Sequence, residues 1–404
     1  MNIRKIKDEE LKRTNEVFGI AFEFPIENDK SAIEVLNDAK TNPQSRGELY
    51  YGEKWAAFDD ENNMMAFIAT TPAMQIFDGN TVKMTGIGGV STLPQYRKSG
   101  AIRSCFNASL TDMYKNGYEF SYLYPFSTAY YNKFGYELCA EMIRYTINLR
   151  SIKRFDEADG QIYLVENGSN LEDIKDIYGK FSKNYNMMFV HEDIDYMDIK
   201  NANPAKTQNY TYVYKSKSGE PKGVMTFNKV KLPIEGFHFN MQCSKFYFSD
   251  MEGFKGLLNH TQAFLAYYDH IIFDLPTDID ITSFIPEWAL FPYKKENYFH
   301  GMVRVINVKS ALKKAKYRGD GNLTLKISDS QIPENDGIFT VEFKNNVAIN
   351  VSNSSNSNYD ISLSINDFSR FITGTHDVSS FKYIERLDIK CTLEKLEKVF
   401  YKKP

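Results

Sequence analysis

The residues best placed to do chemistry stand together in the stretch Thr92-Leu93-Pro94-Gln95-Tyr96-Arg97-Lys98-Ser99-Gly100-Ala101-Ile102-Arg103. Two adjacent cations and a glycine lie where an apolar, strand-like run (Met84 to Val90) gives way to Ile102, Phe106, Leu110 and Met113 at helical spacing, with Gly117 as a C-terminal cap. A strand, a basic turn and a helix N-terminus make an anion site. Free backbone N–H groups and the positive end of the helix dipole favour a phosphate there, and Arg97 and Lys98 add charge. Gly100 lets the backbone approach a ligand closely. In isolation the motif suits an ordinary solvated turn equally well, and the flanking strand and helix favour the phosphate. Other chemistries have less to stand on. The six histidines (His191, His238, His260, His270, His300, His376) show no HExxH or other ligand spacing, and there is no GxSxG elbow or P-loop. His191-Glu192-Asp193 and the aspartates at 274, 278 and 280 are more often solvated loop charges than metal ligands.

Positioning an anion site of this kind takes a sheet. A strand at Ile3 to Ile6 and a helix with Leu11, Val17, Phe18, Ala21 and Phe22 on its apolar face precede strands in hairpin order. These are Trp55 to Phe58, Met64 to Thr71 and, after an Asp78-Gly79-Asn80 turn, Val82 to Val90. Helix 100–116, strand Phe120 to Leu123, a helical stretch from Ser127 and a strand from Glu137 complete a mixed α/β sheet, in which ligands bind beyond the carboxyl ends of central strands. Near Arg150-Ser151-Ile152-Lys153 the order restarts. Ser169 and Glu172 are spaced as a capping box before helix 170–180, strands Tyr210 to Tyr214 and Gly223 to Phe227 flank Ser218-Gly219, and a helix starts at Asp250 before strand Ile271 to Leu275. This is a second copy of the first layout, but its turn reads SDMEGFK, with Asp250 and Glu252 in place of Arg97 and Lys98, so it should repel a phosphate. From Met302 a helix at Val308 to Lys316 leads into strands of alternating Leu, Ile, Val and Phe, then helix 367–373 ended by Gly374.

At 404 residues and 46.7 kDa the chain exceeds one ordinary core. Its 49 basic and 52 acidic side chains give a net charge of −3 and a pI near 6.1, which leaves no global field for nucleic acid or an anionic membrane. The start, MNIRKIKDEELKR, lacks the apolar core of a signal peptide and no span approaches membrane length, so a cytoplasmic protein without membrane partners is expected. Four scattered cysteines (Cys105, Cys139, Cys243, Cys391) without CxxC suit a reducing compartment and argue against disulfides and structural zinc.

The turn at 92–103 resembles the P-x-x-R-R-x-G-x-x-R motif of the enhanced intracellular survival family, multidomain members of the GNAT-type N-acetyltransferase superfamily. Tyr130-Tyr131-Asn132-Lys133-Phe134-Gly135-Tyr136 is similar to the family's F/I-Y-x-R/K-F-G-Y/W block. Met302-Val303-Arg304-Val305-Ile306-Asn307-Val308 is similar to the start of its sterol-carrier-protein-like domain, with Asn307 where an Asp is usual. The resemblance implies two tandem GNAT-like mixed sheets, active at 1–148 and degenerate at 149–298, followed by an α+β sterol-carrier-like domain at 299–404.

It further implies that acetyl-CoA is the co-substrate, with no metal. The diphosphate of CoA would rest on the amides near Arg97, Lys98, Ser99, Gly100 and Ala101, and the backbone of Val90 and Thr92 would pair with the pantetheine arm as an added strand would. Tyr131 matches the family's general acid. Unperturbed, its pKa of about 10 would lie near that of an alkyl thiol, while Tyr130, Phe134 and Tyr136 beside it suit packing. The family's base is the chain's own terminal carboxylate. Here either Pro404 supplies it from a different register, a water chain does the work, or the sequence stops short of the family's terminus. Family members acetylate aminoglycosides and assemble as hexamers, so the expected acceptor is a primary amine on a small polycation, which Glu23, Glu27 and Asp29 could hold, and a homo-oligomer is possible. No cysteine lies in the two motifs, so direct transfer is expected. The alternatives are a non-catalytic CoA- or lipid-binding protein and a protein-lysine acetyltransferase.

Overall fold

The computed structural model describes residues 1–403 apart from 27–29, 234, 235, 237, 285–288, 355 and 356. Contacts divide the chain into two units: Met1–Ala140 together with His300–Lys403, and Glu141–Phe299. Both are mixed α/β.

In the first unit β1 (Asn2–Lys5), β2 (Lys54–Phe58), β3 (Met64–Phe77) and β4 (Asn80–Thr92) run antiparallel, and β5 (Phe120–Leu123) lies parallel beside β4. The β3–β4 hairpin turns on Asp78 and Gly79, with φ of 51° and 80° respectively, the paired left-handed residues that suit strand twist. The short β6 (Glu137–Leu138) does not adjoin β5. Strand Met302–Val305, from the far end of the chain, lies between them, antiparallel to both. Helices α1 (Leu11–Phe22), α2 (Ala32–Thr41) and α3 (Arg46–Leu49) precede β2, while α4 (Ala101–Lys115) and α5 (Thr128–Asn132) follow β4 and β5. Adjacent residues of β2 show how the sheet is covered. Ala56 packs with Leu11, Val17, Val35 and Ala39, whereas Ala57 packs with Ile102, Cys105, Phe106 and Leu110 of α4, as a two-residue period requires.

The C-terminal part of this unit adds a five-stranded sheet in the order Val347–Asn353, Gly337–Lys344, Gly321–Ser328, Ile361–Ser364, Asp388–Ile389. The helix Val308–Lys314 begins on Asn307, whose side chain accepts a hydrogen bond from the Ser310 amide at 2.8 Å, so Asn here caps as an Asp would.

The second unit has its own sheet in the order Lys294–Phe299, Glu141–Asn148, His270–Pro276, Phe239–Phe248, Pro221–Lys231, Asn209–Lys215, Gln161–Leu164. Two features differ from expectation. The strand expected from Glu137 breaks at Ala140, whose φ is 53°, and Glu141–Asn148 joins the second sheet, so the first crossing comes eight residues before the 148/149 boundary. Ser169 and Glu172 form no capping box. Helix Leu171–Ser182 starts from Asn170 at φ 56° without a side-chain cap, and the Ser169 hydroxyl accepts instead from the Glu166 amide at 3.0 Å. Ser169 stands one residue too early for the cap position.

Candidate active site

The site is built where β4 and β5 part. Their parallel pairing runs from Met84 and Phe120 to Ile87 and Leu123, and beyond it Gly88 to Thr92 have no strand on that side among the described residues. A bulge accompanies the parting. Ala69 pairs with Gly88 and Phe67 with Ser91, so Gly89 and Val90 together stand opposite Ile68. Gly89 has φ 56°, and a Cβ there would come within 3.2 Å of the Phe67 ring. A bulge turns backbone groups that would serve the ladder toward the opening.

Beyond Thr92 the chain makes a short helical turn, Pro94–Tyr96, then Lys98 at φ 68° and Gly100 at φ 87°, before α4 begins. Two left-handed residues so close together leave amides pointing outward. The N–H groups of Lys98, Gly100, Ile102 and Arg103 have no hydrogen-bond partner among the described residues, and that of Ala101 has only a 3.4 Å contact with the Ser99 hydroxyl. A cleft of about 1130 Å3 opens over them, lined among others by Val90, Thr92, Arg97, Lys98, Ser99 and Gly100. Ala101 lines it as well, so all seven residues expected to hold the co-substrate are brought to one surface. Nothing lies within 4 Å of where a Cβ on Gly100 would stand. An extended molecule with phosphates at one end fits here: anionic groups on the bare amides, an amide-bearing arm along the open edge of β4.

Tyr131 is differently placed. Ser127 caps α5 by accepting from the Tyr130 amide at 3.3 Å, and Tyr131 points into the core, 3 % exposed. Its ring lies 5.3 Å from Phe126 and 5.2 Å from Tyr130, both of which line the cleft, while Tyr131 does not. No described residue hydrogen-bonds its hydroxyl. Burial, with Tyr130 and Tyr136 nearby, pushes the phenol well above its ordinary value, so it stays protonated at any physiological pH. Tyr136, by contrast, is spoken for: its hydroxyl meets Ser121 Oγ at 2.7 Å, and Phe134 stacks on Phe106 at 4.1 Å, both packing roles.

The end of α5 is held by the C-terminal part of the same unit. Arg304 Nε donates to the Phe134 carbonyl at 2.8 Å and its guanidinium pairs with Asp329 at 2.7 Å, both side chains fully buried. Asn366 donates to the carbonyls of Asn132 and Tyr136, each at 3.0 Å, and Gln331 to that of Lys133 at 3.0 Å. Sequence reasoning missed these residues, and it missed Arg103, Lys133, Ser330 and Gln331 as cleft lining. Arg103 and Lys133 had a signal, being exposed cations inside the two motifs. Ser330 and Gln331 had none, since nothing local ties residue 330 to residue 133.

Pro404, Glu27 and Asp29 lie outside the described residues. Glu23 is the exposed left-handed cap of α1. Lys403 is buried, and its ammonium meets Asp78 at 2.6 Å in the turn at the head of β4. Cys105, under α4, has its thiol pushed up to about 12 by burial, which suits packing and not nucleophilic attack. No group of three or more His, Cys, Asp or Glu side chains gathers among the described residues in a way that could hold a metal ion.

The second unit repeats the geometry with other contents. Its parallel pair separates after Gln242 and Ile272, and the strand beyond is again bulged, at Ser244. Helix Met251–Thr261 is capped by Asp250, which accepts from the Gly253 amide at 2.9 Å, and Lys222 pairs with Asp250 at 2.9 Å and Glu252 at 2.7 Å. Phe246, on one of the parted strands, stacks on Phe273, on the other, at 4.5 Å within the buried core.

Residues 2–139 match the family model of the acetyltransferase (GNAT) domain, and residues 308–404 that of the sterol carrier protein domain. No curated protein matches the sequence. Among solved structures the chain is similar to a conserved protein of unknown function from Enterococcus faecalis V583 (22 % identity, TM-score 0.83, covering 100 % of this chain and 98 % of that one). It is similar also to a GCN5-related N-acetyltransferase from Anabaena variabilis (17 %, 0.83, 100 % and 97 %) and to Eis1 from Mycobacterium abscessus (16 %, 0.78, 100 % and 98 %). At such identities the structures speak for the fold. The domain match carries the chemistry: the chain holds a GNAT acetyltransferase domain and a C-terminal sterol carrier protein domain, and it is an acyltransferase.

Proposed function

We propose that the protein moves an acetyl group from acetyl-CoA directly to a primary amine in the first unit. The observation that carries this is the open edge of β4 running into bare amides at the start of α4, within one cleft. Acetyl-CoA supplies an activated carbonyl on a thiol leaving group. The chain's own residues then have three tasks. The amides of Lys98, Gly100 and Ala101 with the side chains of Arg97 and Lys98 hold the diphosphate, and Val90 and Thr92 fix the arm so that the carbonyl stays at the parting of the strands. Tyr131 lies one ring behind the cleft wall that Phe126 and Tyr130 form, so giving its proton to the sulfur as the C–S bond breaks, and recovering one from solvent, requires those two rings to part. An acceptor amine must arrive neutral, and the proton it loses passes to water. The aminoglycoside-like acceptor and membership of the enhanced intracellular survival family rest on the two motifs, the order of domains and the Eis1-like fold.

Release of free thiol from acetyl-CoA, followed over a panel of amines that includes aminoglycosides and a lysine peptide, tests the proposal. Steady turnover is expected with a polycationic small amine, and Tyr131→Phe should lower kcat about 100-fold with the KM for acetyl-CoA little changed. Tight CoA binding without turnover on any amine would leave only a binding protein.

A further inference from the structure

Four cations line the cleft, and the diphosphate of the proposed site would take two of them. Arg97, Lys98, Arg103 and Lys133 all border it, all are exposed, and none makes an ion pair or side-chain hydrogen bond with a described residue. Elsewhere in this chain paired lysines and arginines are common: Arg4 with Glu10, Lys5 with Glu53, Lys314 with Glu119 and Arg144 with Asp274. In a protein of net charge −3, four unneutralised cations on one surface are a local departure that calls for a polyanion.

The cations fall into two groups by position. Arg97 and Lys98 flank the bare amides in the turn. Arg103 is one turn into α4, about 4.5 Å further along the helix axis than Gly100, and Lys133 directly follows α5. Tyr130 joins these two. It stands three residues before Lys133, and the Arg103 guanidinium is near enough to offset part of the rise that burial imposes on its phenol. Two polar residues from the C-terminal part, Ser330 and Gln331, close the rim, and Gln331 is fixed there by its bond to the Lys133 carbonyl.

We infer that Arg103 and Lys133, with Ser330 at the rim, form a second phosphate subsite that takes the 3′-phosphomonoester on the ribose of CoA and so selects CoA over its dephosphorylated form. This rests on the acetyl-CoA site proposed above. CoA carries a diphosphate and, one ribose away, a phosphomonoester, together about four negative charges near neutral pH. They match the four cations in number and in grouping. The C-terminal part thereby takes a direct share in choosing the co-substrate.

Isothermal titration of the whole protein with CoA and with 3′-dephospho-CoA decides it, on wild type and on a double variant carrying Arg103→Gln and Lys133→Gln. Wild type should bind CoA about 10- to 100-fold more tightly, the value of one or two hydrogen bonds to a charged group. In the variant that ratio should collapse toward one, while affinity for dephospho-CoA holds within about twofold. Equal wild-type affinity for the two nucleotides overturns the subsite and leaves the acetyl-CoA site standing. A ratio unchanged in the variant, or an equal loss for both nucleotides, also overturns it. If wild type binds neither, the acetyl-CoA site falls and the subsite with it.

Discussion

Helices Ala101–Lys115 and Met251–Thr261 start at equivalent places, each after a bulged strand whose parallel neighbour has just diverged, and they differ in everything a ligand would feel. At the first, the capping position is a left-handed glycine that offers no acceptor, and a Cβ on it would meet nothing within 4 Å. At the second, Asp250 satisfies an amide itself. The strand has also closed over the helix start, where a Cβ on Gly253 would stand 2.0 Å from the Lys222 carbonyl oxygen. The parted strands are also tied by stacked rings, Phe246 on Phe273, in the second unit. A helix N-terminus is thus only the raw material of an anion site. Whether it becomes one depends on what is withheld: a capping carboxylate, a neighbouring strand, and aromatic rings.

The strongest way to break the comparison is to give the first junction the second one's charges. Arg97→Asp with Lys98→Glu should raise the dissociation constant for acetyl-CoA about 1000-fold, two charged hydrogen-bond partners having become repulsive; titration calorimetry showing less than about a tenfold change would mean that the amides alone hold the ligand. The filled interior of the second unit should cost it acid tolerance. His260 packs on Tyr212 at 4.3 Å and Phe264 at 5.0 Å, its Nε2 is buried without a partner among the described residues, and burial holds its pKa down at about 4. The unfolded chain takes a proton below about pH 6.5, and the folded one does so only near 4. Stability is therefore full above 6.5 and drains away as pH falls, by about 2 kcal/mol at pH 5. Thermal unfolding scanned from pH 8 to pH 5 should show that loss, and His260→Gln should flatten it. The mildest effect is expected from Asp250→Ala. Removing the cap should destabilise the second unit by about 1 kcal/mol in denaturant titration without creating a CoA site, because the Lys222 backbone still closes over the helix start. A second CoA equivalent bound by this variant would show that the carboxylate alone keeps the junction closed.

The first junction was legible because everything that makes it is local. Strand, basic turn, glycine and helix lie within thirty residues, and apolar spacing alone placed Ile102, Phe106, Leu110 and Met113 on the buried face of α4. The acid pair at Asp250 and Glu252 was legible for the same reason, although what the two carboxylates do is to cap the helix and bind Lys222. Non-local pairing left no such trace. Nothing in Met302–Val305 distinguishes a strand that slots between β5 and β6 from one that opens a separate domain, and nothing near Ala140 announces that the chain there leaves one sheet for another. Tyr131 shows a third kind of gap. Its number came from a matching block, but its depth in the core, and hence its reluctance to ionise, depends on Phe106, Phe126 and Tyr136 converging from different elements.

The strand Met302–Val305 has a consequence for biosynthesis. All four residues of β5 are buried, and one edge of that strand is covered only when residues beyond 301 arrive. Translation of residues 124–301, 178 in all, at about 5–20 residues per second, lasts on the order of 10–35 s. For that time the nascent catalytic sheet shows the ribosome exit an apolar, unpaired edge, the kind most prone to aggregation. The second unit, synthesised in the interval, can mature first. The first sheet is thus begun earliest and completed only after the whole second unit has been made.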